Sequence, residues 1–152
     1  MLFRSRVPAI VSWPGKVAAG TVRDTPVVTP DWFATLVELA GLPKRDVDGV
    51  SVVPLLLGKG PLAPRPLFWH YPHYHPGGAT PYSAIRDSDW RLVEFFEDDR
   101  VELFNLKEDV GEKKDLAAST PEKAAQLRKK LADWRKSVDA QLPTPNPGSK
   151  PK

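Results

Sequence analysis

Tyr82 to Leu106, YSAIRDSDWRLVEFFEDDRVELFNL, carries runs of β-branched and aromatic residues divided by two polar corners. The runs Tyr82–Arg86, Trp90–Phe96 and Val101–Leu106 read as strands. Asp87-Ser88-Asp89 and the acidic corner Glu97-Asp98-Asp99-Arg100 supply turn chemistry between them. Connections this short join antiparallel neighbours, because a parallel crossover needs a dozen residues or more. Leu67 to Tyr71, LFWHY, is a further run of the same kind, so the expected unit is a meander of about four strands.

Downstream, Thr120-Pro121-Glu122 has the chemistry of a helix start, with Thr120 as N-cap and proline at the first helical position. Ala124, Leu127, Leu131, Trp134 and Val138 then recur at helical spacing, while Lys123, Arg128, Lys129, Lys130 and Lys136 take the other sides. An amphipathic helix of this kind should lie across one face of the meander, giving an α+β unit: a small four-stranded antiparallel sheet packed against a C-terminal amphipathic helix. From Leu142 the proline-rich PTPNPGSKPK is expected to be disordered.

Upstream, Val7 to Val11 (VPAIV) reads as a short strand closed by a turn at Trp13-Pro14-Gly15. Thr29-Pro30-Asp31 repeats the helix-start signature, again with the threonine as N-cap. Trp32 or Phe33, Leu36, Val37 and Ala40 form the apolar face, and Gly41 with Pro43 ends the helix. An Asp48-Gly49 turn leads to a proline-started apolar turn at Pro54–Leu57, and KGPLAP after Gly58 reads as a linker. The expected division is residues 1–60, 61–141 and a tail over 142–152.

The 152 residues suffice for a core without staples, and 17 prolines, against a usual share of about 5%, argue for short elements and much loop. The absence of cysteine excludes disulfides, thiolate zinc sites and a cysteine nucleophile. Arg4 and Arg6 before an apolar run imitate a signal peptide, but Pro8, Trp13, Pro14 and Lys16 interrupt it, so no leader and no compartment is assigned. No apolar run approaches membrane-spanning length. From Lys107 onward there are 11 Lys and Arg against 7 Asp and Glu, and before it 11 against 12. The basic excess therefore belongs to a helix face and a tail, which calls for neither nucleic acid nor membrane as partner.

All three histidines fall within Arg65–Pro76, RPLFWHYPHYHP. His70, His73 and His75 alternate there with Trp69, Tyr71 and Tyr74. Rings of this kind can pack as the buried end of a strand. They can equally stack on a sugar and donate to its oxygens, or gather a metal ion, so a stand-alone glycan- or metal-binding module is the alternative function.

In order along the chain, several segments resemble the C-terminal part of the type I sulfatases. Arg6-Val7-Pro8, Trp13-Pro14-Gly15 and Gly20 are similar to that family's R-V-P, W-P-G and G. Asp31, Ala34-Thr35-Leu36 and Leu39-Ala40-Gly41 resemble D-x-x-P-T-L-x-x-L-A-G, with Ala34 for the proline. Asp48-Gly49, Ser51 and Pro54–Gly58 resemble D-G-x-S-x-x-P-L-L-x-G. Arg65–Trp69, Ala84-Ile85-Arg86, and Leu103–Leu106 with Asp109, Glu112 and Asp115-Leu116-Ala117 complete the set.

The resemblance implies that residues 1–60 are the last strand and helix of a sulfatase α/β domain and that the meander is the family's smaller C-terminal subdomain. It also implies a formylglycine nucleophile, made within C/S-x-P-x-R, and a Ca²⁺ ion in the complete enzyme; both would lie upstream of R-V-P. Neither has a counterpart here. Ser12-Trp13-Pro14-Gly15-Lys16 mimics the nucleophile motif with Lys for Arg, but its Trp-Pro-Gly already matches the ordinary late segment. No catalytic residue, metal ligand or cofactor is therefore assigned. The expected partners are the missing N-terminal sulfatase part and a sulfated substrate, with His70, His73, His75, Trp69 and Tyr74 as candidate substrate contacts on the cleft rim. A parent of this family is usually exported.

Overall fold

The computed structural model describes residues 7–144, which form two compact units, one ending at Pro64 and one beginning at Arg65. Arg6 and most of the expected tail lie outside those residues; Leu142, Pro143 and Thr144 adopt no regular structure.

The first unit contains α1 (Thr29–Leu39) and α2 (Val53–Leu56). The strand expected at Val7–Val11 does not form: the segment has no regular structure, with Val7 80% and Ile10 92% exposed. β-branched residues favour a pleated surface, but a strand exists only against a partner, and among the described residues the four strands pair with one another. The turn after it does form, closed by the Lys16 and Val17 amides donating to the Trp13 carbonyl.

The N-cap of α1 is Val28, not Thr29. Asp31, at the third helical position, sets this boundary by accepting the Val28 amide at 2.8 Å on Oδ2, one half of a capping box. Its Oδ1 accepts the Val50 amide at 3.0 Å. Thr35 Oγ1 donates to the Asp31 carbonyl and accepts the Val52 amide at 2.9 Å. These polar bonds invert the expected amphipathic arrangement: Asp31 and Thr35 are buried, whereas Phe33 and Leu36 are 54% and 64% exposed. The helix ends as expected at Gly41, whose φ of 67° allows a Schellman turn, with Leu42 donating to Val37 and Gly41 to Glu38.

The second unit is the expected meander followed by a helix. β1 (Leu67–Tyr71), β2 (Tyr82–Asp87), β3 (Trp90–Phe95) and β4 (Val101–Asn105) form one antiparallel sheet in the order β1-β2-β3-β4. Asp87 pairs with Trp90 across a two-residue loop in which Ser88 has a φ of 57°. Glu94 pairs with Val101 before the acidic corner.

Strand alternation sends Ile85, Leu92 and Leu103 to one face, where Leu127 and Leu131 of α3 (Pro121–Ser137) meet them in a fully buried cluster. Phe68 stacks on Trp134 with ring centroids 4.7 Å apart and planes within 3°. Glu94, on that face, accepts from Arg128 at 2.8 Å and Arg135 at 2.5 Å. Arg128 also pairs with Asp99, Lys130 with Asp87 and Lys129 with Asp133, so much of the helix's basic charge is matched within the fold.

Candidate functional site

The site grows from the end of β1. Trp69 and Tyr71 project to the face opposite α3, while His70 shares the α3 face with Phe68 and Ser83, its register partner on β2. Pro72 cannot donate to a continuing ladder, and the chain leaves the sheet as the 72–80 loop. His75 organises that loop through its backbone: its amide donates to the Ala79 carbonyl and its carbonyl accepts the Gly78 amide, both at 2.9 Å. Gly78, with a φ of 88°, makes the reversal possible without a Cβ penalty.

The three histidines do not converge. His70 has both ring nitrogens engaged, Nδ1 with Ser83 Oγ and Nε2 with the Gln141 carbonyl, each at 2.7 Å. A carbonyl only accepts, so Nε2 carries a proton, and the imidazole pins the segment after α3 to the sheet. The short Ser83–His70 distance resembles a nucleophile–base pair, but Ser83 is fully buried and unreachable by substrate.

His73 and His75 flank Tyr71 instead. The His73 ring meets Tyr71 edge-on at 5.8 Å, and that of His75 lies 6.3 Å from it. Tyr71 in turn leans on Tyr82, its partner on β2, at 5.8 Å. Tyr74 is 68% exposed, His73 and His75 are also exposed, and Trp69 on β1 is half-buried. Among the described residues no three His, Asp or Glu side chains are placed to hold a metal ion.

Sequence reasoning missed two neighbours of this cluster. Burial pushes the Tyr82 phenol up from its ordinary pKa, opposed by the nearby Arg91 cation. Burial also lowers Arg91, against the pull of Glu112, with which it forms an ion pair. Aligning the β2 run against β1 would have placed Tyr82 beside Tyr71; nothing local marks Arg91 as buried. The loop thus carries exposed Tyr74 between His73 and His75 in sequence, while the two imidazoles pack on half-buried Tyr71, which leans on buried Tyr82; such rings are able to stack and hydrogen-bond.

The comparisons agree with this architecture. A family model described as N-sulphoglucosamine sulphohydrolase, C-terminal, matches residues 3–137. The chain belongs to this family of sulfatase C-terminal domains. It is 35% identical over 147 residues to a sulfatase of Formosa agariphila, a match covering 85% of the chain and 27% of that relative. Against arylsulfatase A of Bos taurus it is 31% identical, covering 90% of the chain and 32% of the relative. It spans about a third or less of these curated relatives.

Among solved structures, Ps i-CgsB in complex with k-i-k-neocarrahexaose superposes with a TM-score of 0.68 at 26% identity, over 87% of this chain and 29% of that one. A protein in complex with its substrate D-glucosamine-2-N,6-O-disulfate superposes with a TM-score of 0.62 at 26% identity, over 74% of this chain and 24% of that one.

The acidic residues that carry the sulfatase resemblance have structural work in the fold. Asp109 accepts the Lys113 and Lys114 amides at 2.7 and 2.8 Å. Asp115 accepts the Leu103 and Ala117 amides, both at 2.9 Å, and Glu112 neutralises buried Arg91. The nucleophile mimic at Ser12–Lys16 is a surface turn. No helix among the described residues is long and apolar enough to cross a membrane.

Proposed function

We propose that this sulfatase domain supplies the C-terminal side of a sulfuric ester hydrolase, lining the substrate cleft while an upstream region brings the formylglycine nucleophile and its Ca²⁺. The observation that carries this reading is the family match over residues 3–137 in a sequence with no C/S-x-P-x-R. Its substrate class is a sulfated carbohydrate: a sugar face stacks on an exposed ring such as Tyr74, and N–H donors suit sulfate oxygens.

Trp69, His73, Tyr74 and His75 form the rim in this reading, and His70, bonded on both sides, holds the subdomain together behind it. The exposed apolar residues Phe33, Leu36, Leu39 and Leu42 of the first unit fit a partner that is itself apolar, as an upstream catalytic domain would be. Incubated with 4-nitrophenyl sulfate and Ca²⁺, the chain should release no sulfate above the uncatalysed rate. Sustained turnover would show that it holds a nucleophile of its own and would overturn the proposal.

A further inference from the structure

The proton of the His75 ring is placed by the backbone. The Gly77 amide, which can only donate, points at His75 Nδ1 from 2.9 Å. Nδ1 must therefore accept, and the neutral ring carries its hydrogen on Nε2. Protonating Nδ1 would set two donors against each other and open the turn. The approach is also close: a Cβ at Gly77 would stand 3.0 Å from that nitrogen. The titratable side chains packed around the ring are Tyr71 and, against Tyr71, His73 and Tyr82. Among the described residues none accepts from Nε2, and His75 is exposed.

We infer that His75 is a specificity-determining residue: a neutral imidazole held by Gly77 in a single tautomer, whose Nε2–H donates to an oxygen of a sugar sulfate seated against Tyr74. This rests on the rim reading above and adds to it which atom donates and in which charge state. A dipole fixed in one orientation favours an acceptor at one position, which gives selectivity for where the sulfate sits on the sugar. A mobile cation would draw any anion.

The test uses the full chain and D-glucosamine-2-N,6-O-disulfate as probe. Long-range proton–nitrogen NMR should find His75 as the Nε2–H tautomer, and Gly77→Ala should mix the two tautomers. His75→Asn, whose amide oxygen can replace Nδ1 as acceptor for Gly77, should keep the loop's amide shifts and bind the sugar about tenfold more weakly, as expected for one lost hydrogen bond to an anion. His75→Gln, which restores a donor near the Nε2 position, should recover most of the affinity. An Nδ1–H or imidazolium signal at neutral pH overturns the inference while leaving the rim intact. So does unchanged binding by His75→Asn when the probe still shifts Tyr74. A probe that moves no signal of the 72–80 loop removes the rim reading, and this inference with it.

Discussion

Glu94 is the residue on which sheet and helix depend together. Its carboxylate, near the C-terminal end of β3 and 5% exposed, accepts from the guanidinium groups of Arg128 and Arg135. Removing a buried partner leaves the remaining charges desolvated and unmatched, at a cost of about 3–5 kcal/mol. Arg128 is 40% exposed, so solvent takes over part of its stabilisation and the value should fall toward the lower end. Glu94→Ala should therefore lower the urea midpoint of the sheet-and-helix unit markedly, with Arg135→Ala costing more than Arg128→Ala. Equal losses for the two arginines would mean that burial does not set the strength of the pair. This role was hidden in the sequence, because WRLVEF shows only one acid in an apolar run, and the arginines that hold it lie 34 and 41 positions away. His70 was hidden for the same reason. Its density with the other rings suggested a shared site, yet its partners Ser83 and Gln141 come from a different strand and from beyond the last helix.

Among elements, the four strands of the sheet and the buried face of α3 were legible, whereas the strand expected at Val7–Val11 did not form and the buried side of α1 was not foreseen. Apolar and aromatic runs bounded by turn residues located β1 at its observed bounds and β2 to β4 to within one residue at their C-terminal ends, since the sheet is built from neighbours in sequence. Helical periodicity placed α1 and its apolar face, but the side buried within the first unit is that of Asp31 and Thr35, while Phe33 and Leu36 stay exposed. Asp31 and Thr35 are buried because they accept the amides of Val50 and Val52 from 19 and 17 residues away, a pairing invisible to a local pattern. The bond can be tested directly. Thr35→Val keeps the shape but orphans the Val52 amide, which should cost about 1–3 kcal/mol. Gly49→Ala should disturb the same place, because its Cβ would lie 2.1 Å from the Pro30 carbonyl oxygen and the backbone must move. Hydrogen exchange at Val50 and Val52 should quicken in both variants while exchange in β2 and β3 stays unchanged. Unaltered protection at Val52 in Thr35→Val would show that the threonine does not hold that segment.

At the scale of the whole molecule, the division between Pro64 and Arg65 has a mechanical consequence. The cluster of Ile85, Leu92, Leu103, Leu127 and Leu131 and the Glu94 pairs are made entirely from residues after the division. α1 is tied to the 50–52 segment by bonds made entirely before it. The linker sequence expected between the units, KGPLAP, lies at that boundary, with Lys59 exposed. Trypsin can cut after Lys59, whereas Arg65 is followed by Pro66 and should resist. Brief digestion should thus accumulate a fragment beginning at Gly60, identifiable by mass, that retains the dispersed amide spectrum of the β1–β4 sheet. A local cut leaves that fragment's core bonds in place, and it persists because proteolysis of an ordered segment requires it to open first. If the Gly60 fragment is degraded as fast as the residues before it, the sheet and α3 are not an autonomous unit.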